Sequence, residues 1–506
     1  MDPAAPWAAK CGPHGLVVLG VHTPEFAFEK DPANVRPALA GMGVRYPGAL
    51  GPGYAVCRTR RRSPSPSAEL APALFTLGGW TPMATLILEA APPADALAQR
   101  YATVRGFTGQ LCEGLATEDY VVQSMPDVSP TKWHLAHTSW FFEQFVLVPH
   151  LAGYQPLNPT YLFLFNSYYV NAGERHCRAQ RGYISRPTVA EVFDYRRHVD
   201  ERMMELLSTA GEPLMDTLRP LVEIGIHHEQ QHQELLLTDL KHVFSVNPLR
   251  VVYRPHAAEA PREAAPLRWI GFDSGLHWIG HEGEAFSYDN EGPRHREWLE
   301  PFELASRLVT NGEYLDFMAD GGYQRPDLWL SAGWATVQEN GWTEPYYWER
   351  HGDGFRMFTL SGMRDVAPAE PVAHLSYFEA DAFARWAGAR LPTEAEWEVA
   401  AATVPMRGNL VESGLFHPAP APAGEGLQQM YGDVWQWTRS QYIPYPGYQP
   451  PPGALGEYNG KFMCNQFILR GGSCATSASH IRPTYRNFFP PDATWQFTGL
   501  RLARDL

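Results

Sequence analysis

The chain has 506 residues, enough for about two to four domains at roughly 150 residues each. Apolar residues make up 44% and charged residues 19%, which supplies large packed cores and argues against a mostly disordered chain. A net charge of −14 and a pI near 5.7 argue against a general nucleic-acid binder, because phosphate contacts need clustered Lys and Arg. Six scattered cysteines without a C-x-x-C point to a reducing compartment. No apolar run approaches the roughly 18 residues of a membrane span, and "GLVVLGV" near the start lacks a signal-peptide cleavage site. A cytoplasmic protein with no membrane partner is expected.

In chain order, residues 1–62 read as a strand at Leu16–Val21, a turn, and a helical patch near Asn34–Leu39. Residues 63–92 open Ser/Pro/Ala-rich and read as a linker. From Pro93 the periodicity becomes helical. "ADALAQRYATVRGFTGQLCEGL" is one amphipathic helix. "SPTKWHLAHTSWFFEQFVLVPHL" is a second, with Ser129 as N-cap and Pro130 at the first helical position. "TVAEVFDYRRHVDERMMELLSTA" is a third, starting at Thr188, and "MDTLRPLVEIGIHHEQQHQELLLTDLKHVFSV" is a long fourth. The spacing predicts a four-helix bundle over 93–246 with one long connection after its second helix. Residues 247–269 read as a second linker. From 270 to 506 Gly, Pro and aromatic residues become dense, and helices stand out only in "TNGEYLDFMADGG", "SYFEADAFARWAGA" and "TEAEWEVAA". An irregular α+β domain follows, so the fold class is multidomain, α then α+β.

The chemistry concentrates in "GIHHEQQHQELLL" (225–237), which contains a literal H-E-x-x-H. On a helix, residues four apart share a face, so His228 and His232 can present two imidazoles to one metal ion. The second helix carries His134 and His137, and His137 is the candidate third ligand. His227 and His242 read as surface residues or as supports outside the ligand set. A zinc peptidase would use Glu229 as general base and a further ligand downstream, but no H-x-x-G-x-x-H continuation follows His232. Ligand type alone leaves Fe, Zn, Cu and Ni open. Glu234 lies about 200° around the helix from His232 and is not expected to be a fourth ligand.

"PTKWHLAHTSWFFE" followed about 90 residues later by "HHEQQHQELLLTD" resembles the sulfoxide synthases of ergothioneine biosynthesis, which join a DinB-like bundle to a formylglycine-generating-enzyme-like (C-type-lectin-like) domain. "RLPTEAEWEVAA", "MYGDVWQWTRSQYIPYPGY", "LRGGSCATSASHIRPTYRNFF" and "FTGLRLARD" are similar to that second domain, so the resemblance runs from about residue 90 to 506. It implies a non-haem Fe(II) enzyme with His137, His228 and His232 as ligands, which uses O2 to join a thiol sulfur to C2 of the imidazole of hercynine and oxidises the sulfur to a sulfoxide. Tyr168 and Tyr169, on the long connection, resemble tyrosines that face the iron in one branch of the family, with Tyr168 the first candidate for the acid. Gln231 is the candidate partner of the substrate imidazole. Phe488 and Phe489 are candidate walls for the quaternary ammonium, which cannot donate a hydrogen bond and needs aromatic faces. Phe489 and Ala493 stand where members that use γ-glutamylcysteine carry Asp and Arg, which implies L-cysteine as the sulfur donor. Arg175, Arg178 and Arg181 are candidates for its carboxylate.

The alternatives are a 5-histidylcysteine sulfoxide synthase acting on histidine, use of γ-glutamylcysteine, and a metal-binding interaction protein without catalysis. The relatives acting on histidine usually carry an added C-terminal methyltransferase, which is not expected after "GLRLARDL". Cys464 and Cys474, ten residues apart, read as unsuited to a copper-dependent formylglycine oxidase, with Cys474 a packing residue. Residues 1–62 resemble the middle of a thioredoxin-like domain and are expected to be a remnant without its redox cysteines.

Overall fold

The computed structural model describes residues 20–21, 48–49, 93–256 and 263–506. Two compact units are distinguished, Met1–Leu86 and Ile87–Leu506. In the first, Gly20–Val21 pairs in parallel with Gly48–Ala49. The rest of the thioredoxin-like reading of 1–62, and the linker reading of 63–92, lie outside the described residues.

Four long helices open the second unit: α1 (Pro93–Leu111), α2 (Thr131–Phe142), α3 (Val189–Thr209) and α4 (Glu212–Val246). The expected long second helix is interrupted. It passes into a π-turn at Glu143–Leu147, where Glu143 accepts hydrogen bonds from Tyr154 and Tyr195 at 2.6 Å each, and ends at His150. Ser129 is not its N-cap. Pro130 takes that place, because the Ser129 N–H donates to Asp239 and its hydroxyl accepts from Arg181. Thr188 and Glu191 start α3 with a reciprocal capping box, which satisfies two otherwise orphaned donors. At 35 residues α4 is about 52 Å long. Gly225 lets it approach α2, since a Cβ there would lie 2.4 Å from Cε1 of Phe142.

Residues 247–256 are not a free tether. The Tyr253 hydroxyl donates to the Leu111 carbonyl at 2.6 Å, and its N–H donates to the Leu360 carbonyl. The α+β portion begins with strand Trp269–Phe272, one residue before the expected boundary. That strand pairs with Phe302–Ala305, which also pairs with the C-terminal strand Ala503–Asp505. A four-stranded sheet runs in the order Asn487–Phe489, Phe467–Arg470, Trp435–Gln441, Thr498–Gly499, with only the last junction parallel. Helices Asn311–Ala319, Tyr377–Trp386 and Glu394–Ala401, in the three stretches read as helical, each open on a capping box. A further helix, Ser331–Asn340, begins at Leu330 without a side-chain cap and was not readable from the sequence pattern. Among the described residues, no helix is long and apolar enough to cross a membrane.

Candidate metal centre and substrate cavity

The stripes along α4 face different surroundings. His227, Gln230, Gln231 and Glu234 meet the α+β portion. Gln230 donates to Ser477 and Ser479, and Glu234 accepts from Trp435 and Thr476 at 2.8 and 2.7 Å. Glu234 is therefore committed to this junction and is no metal ligand. His227 and His242 are not surface residues. His227 is stacked on Phe286 at 4.0 Å with its Nδ1 3.0 Å from that of His480, and His242 lies between Ser124 and Tyr346.

A second stripe carries His228, His232 and Asp239 toward α2. Ligand atoms of His137, His228 and His232 lie within 4.8 Å of one another. The Nε2 atoms of His137 and His228 are 3.2 Å apart. His137 donates from Nδ1 to the Phe165 carbonyl at 2.6 Å, which leaves its Nε2 lone pair facing the cluster. Trp133 stacks on its ring at 4.5 Å and holds its plane. Burial lowers the pKa of all three imidazoles, to about 3 for His228, and neighbouring histidines add to the effect at His137 and His232. They are neutral at pH 7 and can act as lone-pair donors. Buried His228 Nδ1 has no hydrogen-bond partner among the described residues. Three neutral, converging imidazoles with no carboxylate in their midst fit a divalent transition metal.

The third stripe answers the peptidase reading. Glu229 points into the bundle, where Arg105 and Arg196 donate to it at 2.9 and 2.6 Å and Thr108 at 2.6 Å. Burial alone would raise its pKa, but the two guanidiniums outweigh that and hold it near 2. A carboxylate so saturated is not a general base for a metal-activated water.

Beside the histidines lies a cavity of about 410 Å³. Its walls include His228 and His232, Tyr168, Gln231, Arg175, Arg178 and Arg181, Phe488 and Phe489. Gln231 is clamped between two tyrosines of the α+β portion: it donates to Tyr485 at 2.7 Å and accepts from Tyr458. Tyr168 and Tyr169 stack at 4.6 Å with their hydroxyls 3.4 Å apart. Only Tyr168 is on the cavity wall. Tyr169 is fully buried against Trp140 and Phe145, behind Tyr168 as seen from the cavity. Arg175 and Arg178 are exposed, and Arg178 donates to the Asp127 carbonyl. Arg181 is buried, with its guanidinium 3.3 Å above the Trp133 ring. Phe488 stacks on Tyr442 at 4.0 Å and Phe489 meets Trp495 edge-on. Cys474 is buried and Cys464 exposed, and both are free thiols.

Sequence reasoning missed Tyr458 and Asp239 here, and noted His134 without giving it a role. Tyr458, whose ring lies 5.7 Å from that of His228, comes from a Pro/Gly-rich stretch with no helical or strand pattern. His134 and Asp239 were detectable in principle. His134 precedes His137 by three residues, and Asp239 follows His232 by seven, two helical turns along the same face.

Residues 90–236 match the DinB superfamily, and residues 272–412 and 413–506 match the sulfatase-modifying factor enzyme 1-like domain. A hercynine oxygenase of Mycobacterium tuberculosis is 34% identical over 407 residues, covering 75% of this chain and 92% of the relative. The chain belongs to the hercynine oxygenase family, the sulfoxide synthases of the ergothioneine pathway. A second hercynine oxygenase, from Mycolicibacterium smegmatis, is 32% identical over 76% of this chain and 93% of the relative. The formylglycine-generating enzyme of Streptomyces coelicolor is 30% identical over 50% of this chain and 95% of its own length. The family combines a helical DinB portion with a strand-containing portion like that of the sulfatase-modifying factors, which is the fold described above. As a member of the hercynine oxygenase family, the protein is an oxidative enzyme of that pathway.

Proposed function

We propose that the enzyme joins the thiol sulfur of L-cysteine to C2 of the hercynine imidazole and oxidises that sulfur to the sulfoxide, in the cytoplasm. One O2 is consumed: one oxygen atom enters the sulfoxide, and the other leaves as water with the C2 and thiol protons. The observation that carries the reading is the set of three neutral imidazoles, His137, His228 and His232, beside a cavity of about 410 Å³. Bound to them, Fe(II) supplies the redox chemistry toward O2 that zinc lacks.

The chain's own side chains select and orient the substrates. Clamped by Tyr458 and Tyr485, Gln231 has a fixed amide plane against which the hercynine imidazole is oriented. Phe488 and Phe489 present aromatic faces to the trimethylammonium group. Arg175 and Arg178 take the cysteine carboxylate, a geometry guanidinium forks match well. Burial raises the pKa of the Tyr168 phenol, so it stays protonated and serves as proton donor at the cavity wall. Apolar Phe489 and Ala493 offer no charge to a γ-glutamyl arm, which favours free cysteine. We also assign residues 93–246 and 270–506 as the two functional portions that meet at this cavity.

The test is a matrix of assays on enzyme purified anaerobically and loaded with Fe(II). Hercynine or histidine is paired with cysteine or γ-glutamylcysteine, and products are read by mass spectrometry with O2 uptake. Hercynine with cysteine is expected to give the addition product carrying one further oxygen. Uptake with histidine in preference to hercynine, or with γ-glutamylcysteine in preference to cysteine, overturns the respective assignment.

A further inference from the structure

We propose that His134 and Asp239 form a positioning relay that fixes the tautomer and ring orientation of His232, so that its Nε2 lone pair is presented to the metal. The inference rests on the three-histidine reading of the centre and is independent of the identity of the substrates.

The directions of the hydrogen bonds carry the argument. Asp239 Oδ2 accepts from the Ser129 N–H at 2.8 Å and lies 3.0 Å from His134 Nε2. An oxygen that already accepts from the Ser129 N–H is the acceptor toward His134 as well, so His134 Nε2 is the N–H donor of this pair. For His232 to offer Nε2 to the metal its N–H must sit on Nδ1, and the His134 Nδ1 that faces it is then the acceptor. That atom lies 2.9 Å from His232 Nδ1, so His232 must be the donor. His232 is thereby held as its Nδ1–H tautomer with Nε2 unprotonated. His137 reaches the same state by a shorter route, through the Phe165 carbonyl.

A carboxylate or carbonyl behind a ligating histidine is the usual device for fixing its tautomer. Here an additional imidazole is inserted between the carboxylate and the ligand. The insertion spans the helices: His134 comes from α2, while Asp239 and His232 lie on α4. The relay thus also pins α4 to α2 close to His137. His134 and Asp239 are buried, with side-chain exposures of 4% and 6%, and His232 is partly buried, so water does not readily compete for the His134–Asp239 bond.

The test uses the full-length protein with Co(II) as probe. Affinity is read by titration of the visible absorption, and the ligand N–H protons are read as exchangeable, hyperfine-shifted proton resonances. The parent is expected to show slowly exchanging N–H signals from His137 and His232. His134→Leu is expected to lose the slow His232 signal and to bind Co(II) about 10–100-fold more weakly. His134→Asn, whose amide oxygen can replace Nδ1 as acceptor, is expected to recover most of the affinity. Asp239→Ala should weaken binding, while Asp239→Asn, which keeps an acceptor oxygen for Ser129 and His134, should stay near the parent. If His134→Leu does not fold, Asp239→Ala decides the matter by the same readouts. Parent-like affinity and slow exchange in the folded His134→Leu or Asp239→Ala protein overturns the relay, as does failure of His134→Asn to recover affinity. Failure of the parent itself to bind Co(II) would instead overturn the metal reading.

Discussion

Two adjacent faces of α4 carry the same kinds of side chain to opposite ends. On one, Glu229 is closed off: Arg105, Arg196 and Thr108 all donate to it. On the other, His228 and His232 stand beside a cavity whose wall residues include several buried polar atoms without hydrogen-bond partners among the described residues, such as Asp239 Oδ1, Arg181 Nε and Gln496 Nε2. Buried polar groups are ordinarily paired, so a concentration of unpaired ones marks a surface built for something other than folding. The satisfied face holds the bundle together, and the unsatisfied face is the one to which the proposed function assigns the chemistry. H-E-x-x-H in this helix therefore joins two unrelated tasks in five consecutive residues.

The sharpest way to break this contrast is to remove a ligand. His137→Ala, His228→Ala or His232→Ala is expected to abolish metal retention and turnover while the metal-free protein still melts cooperatively within a few degrees of the parent. Metal content by elemental analysis and a calorimetric scan check both halves. Glu229→Gln should do the reverse. Leaving the buried Arg196 guanidinium without its carboxylate, and Arg105 with Asp200 alone, costs about 3–5 kcal/mol, with little change in metal affinity of the folded fraction. The pH dependence follows from the depressed pKa of Glu229, about 2 against 4.5. A carboxylate lowered on folding stabilises above its ordinary pKa, and that contribution is lost as pH falls through the folded value. The penalty of Glu229→Gln should therefore be flat from neutral pH to about 5 and shrink as the pH falls toward 2. A penalty peaking near neutral pH would contradict the ion-pair account.

Much of this was legible in the sequence. Helical periodicity located all four bundle helices and the i, i+4 pair His228 and His232, because these signals are local, and a second histidine-bearing helix pointed to His137 as the member that completes the histidine cluster. What the sequence hid is long-range. Ser129 looks like an N-cap, yet Asp239, 110 residues away, takes its N–H. His227 and His242 look like spare polar residues until the α+β portion covers them. Tyr168 and Tyr169 are indistinguishable as neighbours in a loop, and only the packing of Trp140 and Phe145 against Tyr169 separates them. Tyr458 reaches His228 from a segment whose sequence has no periodicity at all.

A smaller effect sharpens the contrast from the backbone side. Gly225 sits between the two faces, at the point where α4 touches Phe142 of α2. Gly225→Ala should gain helix propensity and still destabilise the protein, by about 1–3 kcal/mol, because the methyl overpacks a closed contact. The same displacement moves His228 away from His137, so metal affinity should fall together with Tm. A stability loss without any change in affinity would show that the ring of Phe142 yields and the helix does not.

The last expected effect is a slope with pH. Lys241 continues the α4 surface that meets the α+β portion; it is buried, with its Nζ 2.6 Å from His374 Nε2 and over the rings of Tyr347 and Phe497. Burial lowers its pKa from 10.5 to about 7. Between those values the unfolded chain binds a proton that the folded chain does not, so this residue makes stability rise with pH across that window. Lys241→Met removes the titration. The Tm of the variant minus that of the parent should therefore decrease steadily from about pH 7 to pH 10, whatever its value at pH 7. A difference that stays constant would mean the lysine is charged in the folded protein, paired more strongly with the rings of Tyr347 and Phe497 than its burial implies. This junction would then resemble the closed face of Glu229, with its charge retained and satisfied.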